Sequence, residues 1–319
     1  MANSGNSLST LEILWNALVL PFKNLKLFLP LFLITFLSSS ILLFSNLIVI
    51  LPLLTDLTQK ANELTHIADR SSPEFALLLA AIKKDVTHLI VDESVELLLS
   101  FIINSLLMIL TLYATVTTYR GKLLSLVEVL IMAKNTIKGP ILTQLFVTFL
   151  YSACFVLFIL LSIFPVVPLI LKNSIIFSTL LFLILLLAVC FFLYYSFVWS
   201  LGIVVSVAEI GCYGPKAIRR STELIKGRKK QGFLLLLLIT AFEIATQAIA
   251  KFTLTPAPSS KEVILLLSVI FYALVAKTQD LFILAIMTVF YSECKKSHED
   301  GFVYSSLSLS EAHVDKELP

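Results

Sequence analysis

Charged residues make up only 14% of this 319-residue chain, while 58% of it is apolar. A water-soluble domain of that length could not clothe so much hydrocarbon with so little charge, so lipid must be the solvent for much of it. Cysteine is scarce and poorly spaced for chemistry. The four residues, Cys154, Cys190, Cys212 and Cys294, form no CxxC pair, and the first two fall inside apolar runs, which argues against a disulfide framework. No Gly-rich phosphate loop occurs, no histidine lies inside an apolar run, and no serine or cysteine has an obvious base. An enzyme is therefore the weakest functional class, and the chain is expected to be non-enzymatic, with no cofactor and no bound metal. No Asn-x-Ser/Thr sequon is present to mark an outward-facing loop. Nor do the first 25 residues place a basic stretch before a short apolar core, so the first span is expected to serve as its own insertion signal.

Long uncharged runs are what the chain has instead. Residues 27–55, 97–119, 139–171 and 173–208 contain no Asp, Glu, Lys or Arg, and each exceeds the roughly 20 residues that cross about 30 Å of hydrocarbon as a helix. Two further apolar stretches are interrupted, one by Glu243 and one by Lys277 and Asp280. Counting them as spans predicts an all-α integral membrane bundle of about six transmembrane helices in one domain, 1–319. The spans are placed at about 28–51, 97–119, 141–164, 176–199, 232–250 and 266–290, with an outer helical loop at 56–96, a basic loop at 209–231 and a polar tail at 293–319.

Basic residues in short loops set orientation. Alternating the connectors between two sides puts sixteen Lys and Arg on one side and seven on the other, with Lys277 inside a span. Both ends should therefore face the cytosol. The loop at 56–96 is the only sizeable excursion on the far side, and its eight acidic residues outnumber four basic ones.

A mixed apolar and polar stretch precedes each odd-numbered span on the predicted cytosolic side. In the first, Leu8, Leu11, Trp15, Leu18 and Phe22 recur at helical spacing, opposite Ser9, Glu12 and Asn16. In the second, Leu123, Leu126, Val127, Leu130 and Ile131 form the stripe; the third, at 212–231, is the most basic. Each is expected to be an interfacial amphipathic helix lying in the headgroup region, which makes three units of surface helix plus transmembrane hairpin. The simpler account is that any connector beside lipid becomes amphipathic.

Ionisable side chains inside spans are costly and ordinarily face the bundle interior or water. Glu243, Gln247, Lys277 and Asp280 are thus the candidate intramembrane polar site. Thr240, Glu243, Gln247 and Lys251 follow a single helical stripe, and Lys277 and Asp280 share a face at i, i+3. Comparable depth on adjoining helices makes a Glu243–Lys277 pair geometrically feasible. Such a pair could line a solute pathway or simply fix helix register, and the absence of Gly or Pro breaks in both spans favours the second.

The loop residues Lys216, Arg219, Arg220, Lys226, Arg228, Lys229 and Lys230 face only Glu223. Anionic lipid headgroups on the cytosolic face are their natural partner, each cation near such a surface contributing about 1 kcal/mol. Nucleic acid is not, since the cluster sits in a membrane-tethered loop without aromatic interleaving. In the outer loop, Glu63, His66 and Asp69, and again Asp85, His88 and Asp92, share helical faces. Their spacing is loose, and pairing with Lys60, Arg70, Lys83 and Lys84 accounts for them more simply than a metal. Cys294, beside the membrane, could be S-acylated, although juxtamembrane cysteines are common and the expectation is that it is not.

The segment Val198-Trp199-Ser200-Leu201, Val204-Val205-Ser206-Val207-Ala208-Glu209, Gly214, Ala217, Arg220-Ser221, Leu224 and Lys226-Gly227 resembles a signature of an uncharacterised plant multi-pass transmembrane protein family. Thr288-Val289-Phe290-Tyr291, Cys294-Lys295 and His298-Glu299 are similar to that family's closing motif. A looser likeness is to the membrane domain of glycerophosphodiester phosphodiesterases, without the catalytic domain. The resemblance implies a plasma-membrane or endomembrane location and carries over no functional residue. Within the segment itself, Trp199 suits an interfacial aromatic, Gly211, Gly214 and Pro215 break the helix, and Gly227 ends the next one.

Together these readings predict a non-enzymatic multi-pass membrane protein serving membrane organisation, trafficking or partner assembly. The alternative is a carrier or channel for a small solute or lipid, using the polar stripe of spans five and six.

Overall fold

The computed structural model of the protein describes residues 8–66, 72–163, 175–254 and 262–314, and every element among them is helical. The helix α1 (Thr10–Val19) leads through a 3-10 turn, Pro21–Asn24, into α2 (Leu25–Ser45). A π-helical stretch, Asn46–Ile50, joins α2 to α3 (Leu51–His66). Then come α4 (Pro73–Tyr119), α5 (Leu126–Thr136), α6 (Lys138–Ile163), α7 (Ile175–Ala208), α8 (Pro215–Lys226), α9 (Lys229–Leu254) and α10 (Glu262–Val314). Among the described residues, six helices are long and apolar enough to cross a membrane, as the uncharged runs require. The chain is an all-α bundle of the membrane-spanning kind.

The helices outrun the spans at several points. Nothing in the acidic stretch after Pro73 breaks helical geometry, so α4 continues as one helix to Tyr119. Arg70, Asp69, Lys172, Lys261 and Lys316 lie outside the described residues.

Sequence reasoning treats the chain as a single domain; its contacts group it into two compact units. The first comprises Met1–Leu29, Ile109–Glu243 and Asp280–Pro319, the second Pro30–Met108 and Ile244–Gln279. In the first unit, Ile109, Leu112, Leu201, Leu235, Ile286 and Phe290 are fully buried. Small residues let the helices close on them. Gly202 of α7 lies under Ile218 of α8, and Gly232 of α9 under Phe290 and Phe197. Gly139 at the start of α6 faces the ring of Tyr213, where a Cβ would overlap it. In the second unit, Lys60 of α3 is bonded to Asp56 at 2.6 Å and to Asp85 of α4 at 2.8 Å, which fastens the two helices of the acidic excursion.

Three short helices, α1, α5 and α8, each precede a long one. The first two start identically: Ser9 and Ser125 cap their helices, and Glu12 and Glu128 reach back to the cap backbone. This Ser-x-x-Glu capping box satisfies two otherwise orphaned N–H groups and stops the chain from continuing as one helix. The third start differs. Gly214, at φ 57°, is buried and precedes Pro215 at the first helical position, and only glycine adopts that φ without strain. Gly227 does end α8, but in right-handed geometry at φ −72°, so its conformational freedom is not used.

Candidate functional site

The loops and short helices of the first unit are gathered at one end by polar contacts. Asn24 donates from its side chain to the Leu124 carbonyl at 2.9 Å, and Tyr113 meets Thr136 at 2.6 Å. The Gly214 amide donates to Thr143 of α6 at 2.8 Å, and Ser221 of α8 donates to the Val198 carbonyl of α7 at 3.0 Å. At the centre is a nearly dry ion pair, Arg228 with Glu293 at 3.3 Å, their side chains 9% and 8% exposed. Glu293 also accepts from the Leu8 amide at 3.3 Å, and Gln231, itself an acceptor for Arg228 at 3.1 Å, donates to the Leu8 carbonyl at 2.8 Å. A buried carboxylate and guanidinium stay charged only when paired and hydrogen-bonded in this way, and here the closed set fastens the start of α1 to α9 and α10.

Beside this network lies an open cleft of about 890 Å³, lined by Tyr119, Arg120, Glu209, Ile210, Arg220, Tyr291, Lys295 and Lys296 among others. Its single carboxylate is heavily shared. Glu209 accepts from the Tyr291 hydroxyl at 2.9 Å and stands 3.5 Å from Arg220 and 3.9 Å from Lys295. Arg120 at the end of α4 donates to the Ala208 carbonyl at 3.0 Å, completing the C-terminal end of α7. Four cations against one carboxylate leave the lining strongly positive. Nearby, burial with the charge of Glu209 raises the Cys212 thiol above its ordinary value.

The seven loop cations that sequence reasoning assigned to lipid divide into two sets. Arg228 is committed to Glu293, and Arg220 to Glu209 and, at 3.8 Å, to Glu223. Lys216, Arg219, Lys226, Lys229 and Lys230 are exposed, Arg219 also contacting Glu223 at 3.3 Å. The apolar side of α8, Ala217, Leu224 and Ile225, is buried in protein, so that helix shows only its polar face outward. By contrast α1 buries Ile13 and Ala17 while its Leu11 and Trp15 are 77% and 67% exposed, and Phe22 in the turn that follows is 65% exposed. The helix α5 likewise buries Val129 and Ala133 and exposes Val127 and Ile131, with Leu123 exposed just before it.

Burial bears on two further residues singled out in the sequence. Trp199, which suits an interfacial aromatic by position, packs into protein, buried and edge-on to Tyr151 at 5.1 Å, whereas Trp15 is 67% exposed. Cys294, open to acylation by position alone, is fully enclosed.

The intramembrane candidates are spread over both units. Glu243 and Asp280 belong to the first, Gln247 and Lys277 to the second. Glu243 and Gln247 are exposed on α9, whose buried residues include Leu235, Leu236, Ile239 and Thr246. In the second unit Thr246 of α9 donates to Gln279 of α10, two uncharged residues that the sequence does not single out. Lys277 lines a cavity of about 340 Å³ with Ser39, Asn46, Glu93, Glu96, Ser100, Asn104 and Tyr272. Asn46, at the start of the π-helical stretch, donates to Glu96, and π-bulges inside helices often mark functional positions. Of the outer-loop clusters, Asp85 pairs with Lys60; among the described residues no three His, Cys, Asp or Glu side chains gather around one point.

A family described as a domain of unknown function, DUF8558, matches residues 4–315. No curated protein and no solved structure matches the chain.

Proposed function

We propose that this chain, which belongs to the DUF8558 family, is a non-enzymatic membrane-organising protein whose cytosolic end is held against an anionic leaflet, serving trafficking or partner assembly. The observation that carries this reading is the pairing of surfaces in the first unit. Exposed apolar faces on α1 and α5 are joined there by the exposed cations Lys216, Arg219, Lys226, Lys229 and Lys230. Apolar side chains at the acyl boundary with cations among the headgroups is the arrangement of an interfacial anchor. Each engaged cation adds about 1 kcal/mol. Both termini face the cytosol on this reading, and the resemblance to a plant family supports a plasma-membrane or endomembrane setting. The proposal is tested by hydrogen exchange on the protein in nanodiscs of phosphatidylcholine alone or with phosphatidylglycerol. Slower exchange at 216–230 with the anionic lipid is expected; equal exchange in both overturns the reading.

The cavity beside Lys277 favours a second reading, a carrier for a small solute, because an ammonium and the Glu93 and Glu96 carboxylates around a mostly apolar space are expensive to keep without a ligand or water. Glu96→Gln and Lys277→Met would then abolish flux in proteoliposomes while leaving expression intact.

A further inference from the structure

We propose that the cleft between the ends of α4 and α7 and the face of α10 binds the phosphate monoester of an anionic lipid headgroup. This deepens the leaflet-docking reading and rests on it for the location of the cleft. The argument begins with charge. Arg120, Arg220, Lys295 and Lys296 line one space in which Glu209 is the carboxylate of the lining. Glu223 reaches Arg220 from outside it at 3.8 Å, and Glu209 already receives the Tyr291 hydroxyl, so the balance about the cleft is close to two positive charges. A monoester at neutral pH carries close to two negative charges and three acceptor oxygens, against one charge for a diester. It is the headgroup whose charge comes nearest to balancing the lining.

Geometry adds to this. The Arg120 guanidinium is held by the Ala208 carbonyl, and that of Arg220 by Glu209 and Glu223. Pre-positioned planar forks reduce the ordering cost of gripping phosphate oxygens. Arg120 itself is exposed, and so is Lys296. The volume, about 890 Å³, is ample for a headgroup. Position argues for a lipid over free phosphate: α4 and α7 end at Tyr119 and Ala208, where the long apolar runs stop. Ile210 on the rim is 92% exposed, an apolar side chain standing next to a cationic cleft where the leaflet-docking reading puts the headgroups.

The test is calorimetric titration of the purified full chain in micelles with three probes: dihexanoyl phosphatidic acid, dihexanoyl phosphatidylglycerol and inorganic phosphate. Phosphatidic acid is expected to bind most tightly, and Arg120→Gln and Lys296→Gln each to weaken it about tenfold, the size of losing one charge-assisted contact. Both positions are exposed, and Lys296→Glu gives a stronger effect at unchanged melting temperature. Equal affinity for the two lipids, or unaltered binding by the variants, overturns the proposal; phosphate binding as tightly as phosphatidic acid overturns the lipid assignment and leaves soluble phosphate as the ligand. The triple variant Lys216→Gln, Lys229→Gln, Lys230→Gln separates the two ideas. It should lose the anionic-nanodisc effect at 216–230 yet keep phosphatidic acid binding, so either reading can fail alone.

Discussion

Arg228 and Glu293 look unremarkable in sequence, one within a run of cations and the other three residues past a hydrophobic stretch, yet they form the driest ion pair described here. Removing one partner strands the other charge, so Arg228→Met and Glu293→Leu should each destabilise the protein by about 3–5 kcal/mol, whereas the double variant should recover much of that loss. Thermal unfolding in detergent measures this cycle. Additive losses would mean that the two side chains do not depend on each other. The same pairing commits the Arg228 guanidinium to protein, its side chain being only 9% exposed.

The short helices are decided by their caps. A Ser-x-x-Glu box opens both α1 and α5, a signal readable from the sequence once the box rather than the apolar stripe is sought. Ser125→Ala should weaken α5 by about 1 kcal/mol, seen as faster amide exchange over its first turn. The Ser125 backbone and side chain donate to Glu128 and hold its carboxyl below the ordinary value. A lowered carboxyl pKa adds stability above the ordinary glutamate range, near pH 4.3, and that stability disappears as pH falls through the lowered value. Exchange of α5 amides, corrected for intrinsic pH dependence, should therefore quicken only below about pH 4; a transition at neutral pH would show that another group controls the helix. The short helices also differ in what they bury. α8 turns its apolar face inward onto α7, while α1 and α5 keep part of theirs outside. Periodicity shows that a helix has an apolar side without showing what covers it.

At the scale of the whole chain, the sixteen-to-seven division of cations implies a single orientation. Tags at the two ends should be protected, or exposed, together in sealed vesicles, and alkaline carbonate should leave the protein in the membrane fraction. Tags accessible from opposite sides would rule out an even number of crossings.

Helical class and the presence of six membrane-length helices follow from local information, because a run of uncharged residues long enough for hydrocarbon needs no partner to declare itself. The same holds for the turns at Gly214-Pro215. The cleft around Glu209 depended on folding instead: Arg120, Arg220 and Lys295 are separated by scores of residues and become neighbours only when α4, α7, α8 and α10 pack. So did the inward burial of Trp199 and the outward placement of Glu243. Spacing along a helix says which residues share a face. Only packing chooses the direction in which that face points, since the choice depends on the summed contacts of every neighbouring helix.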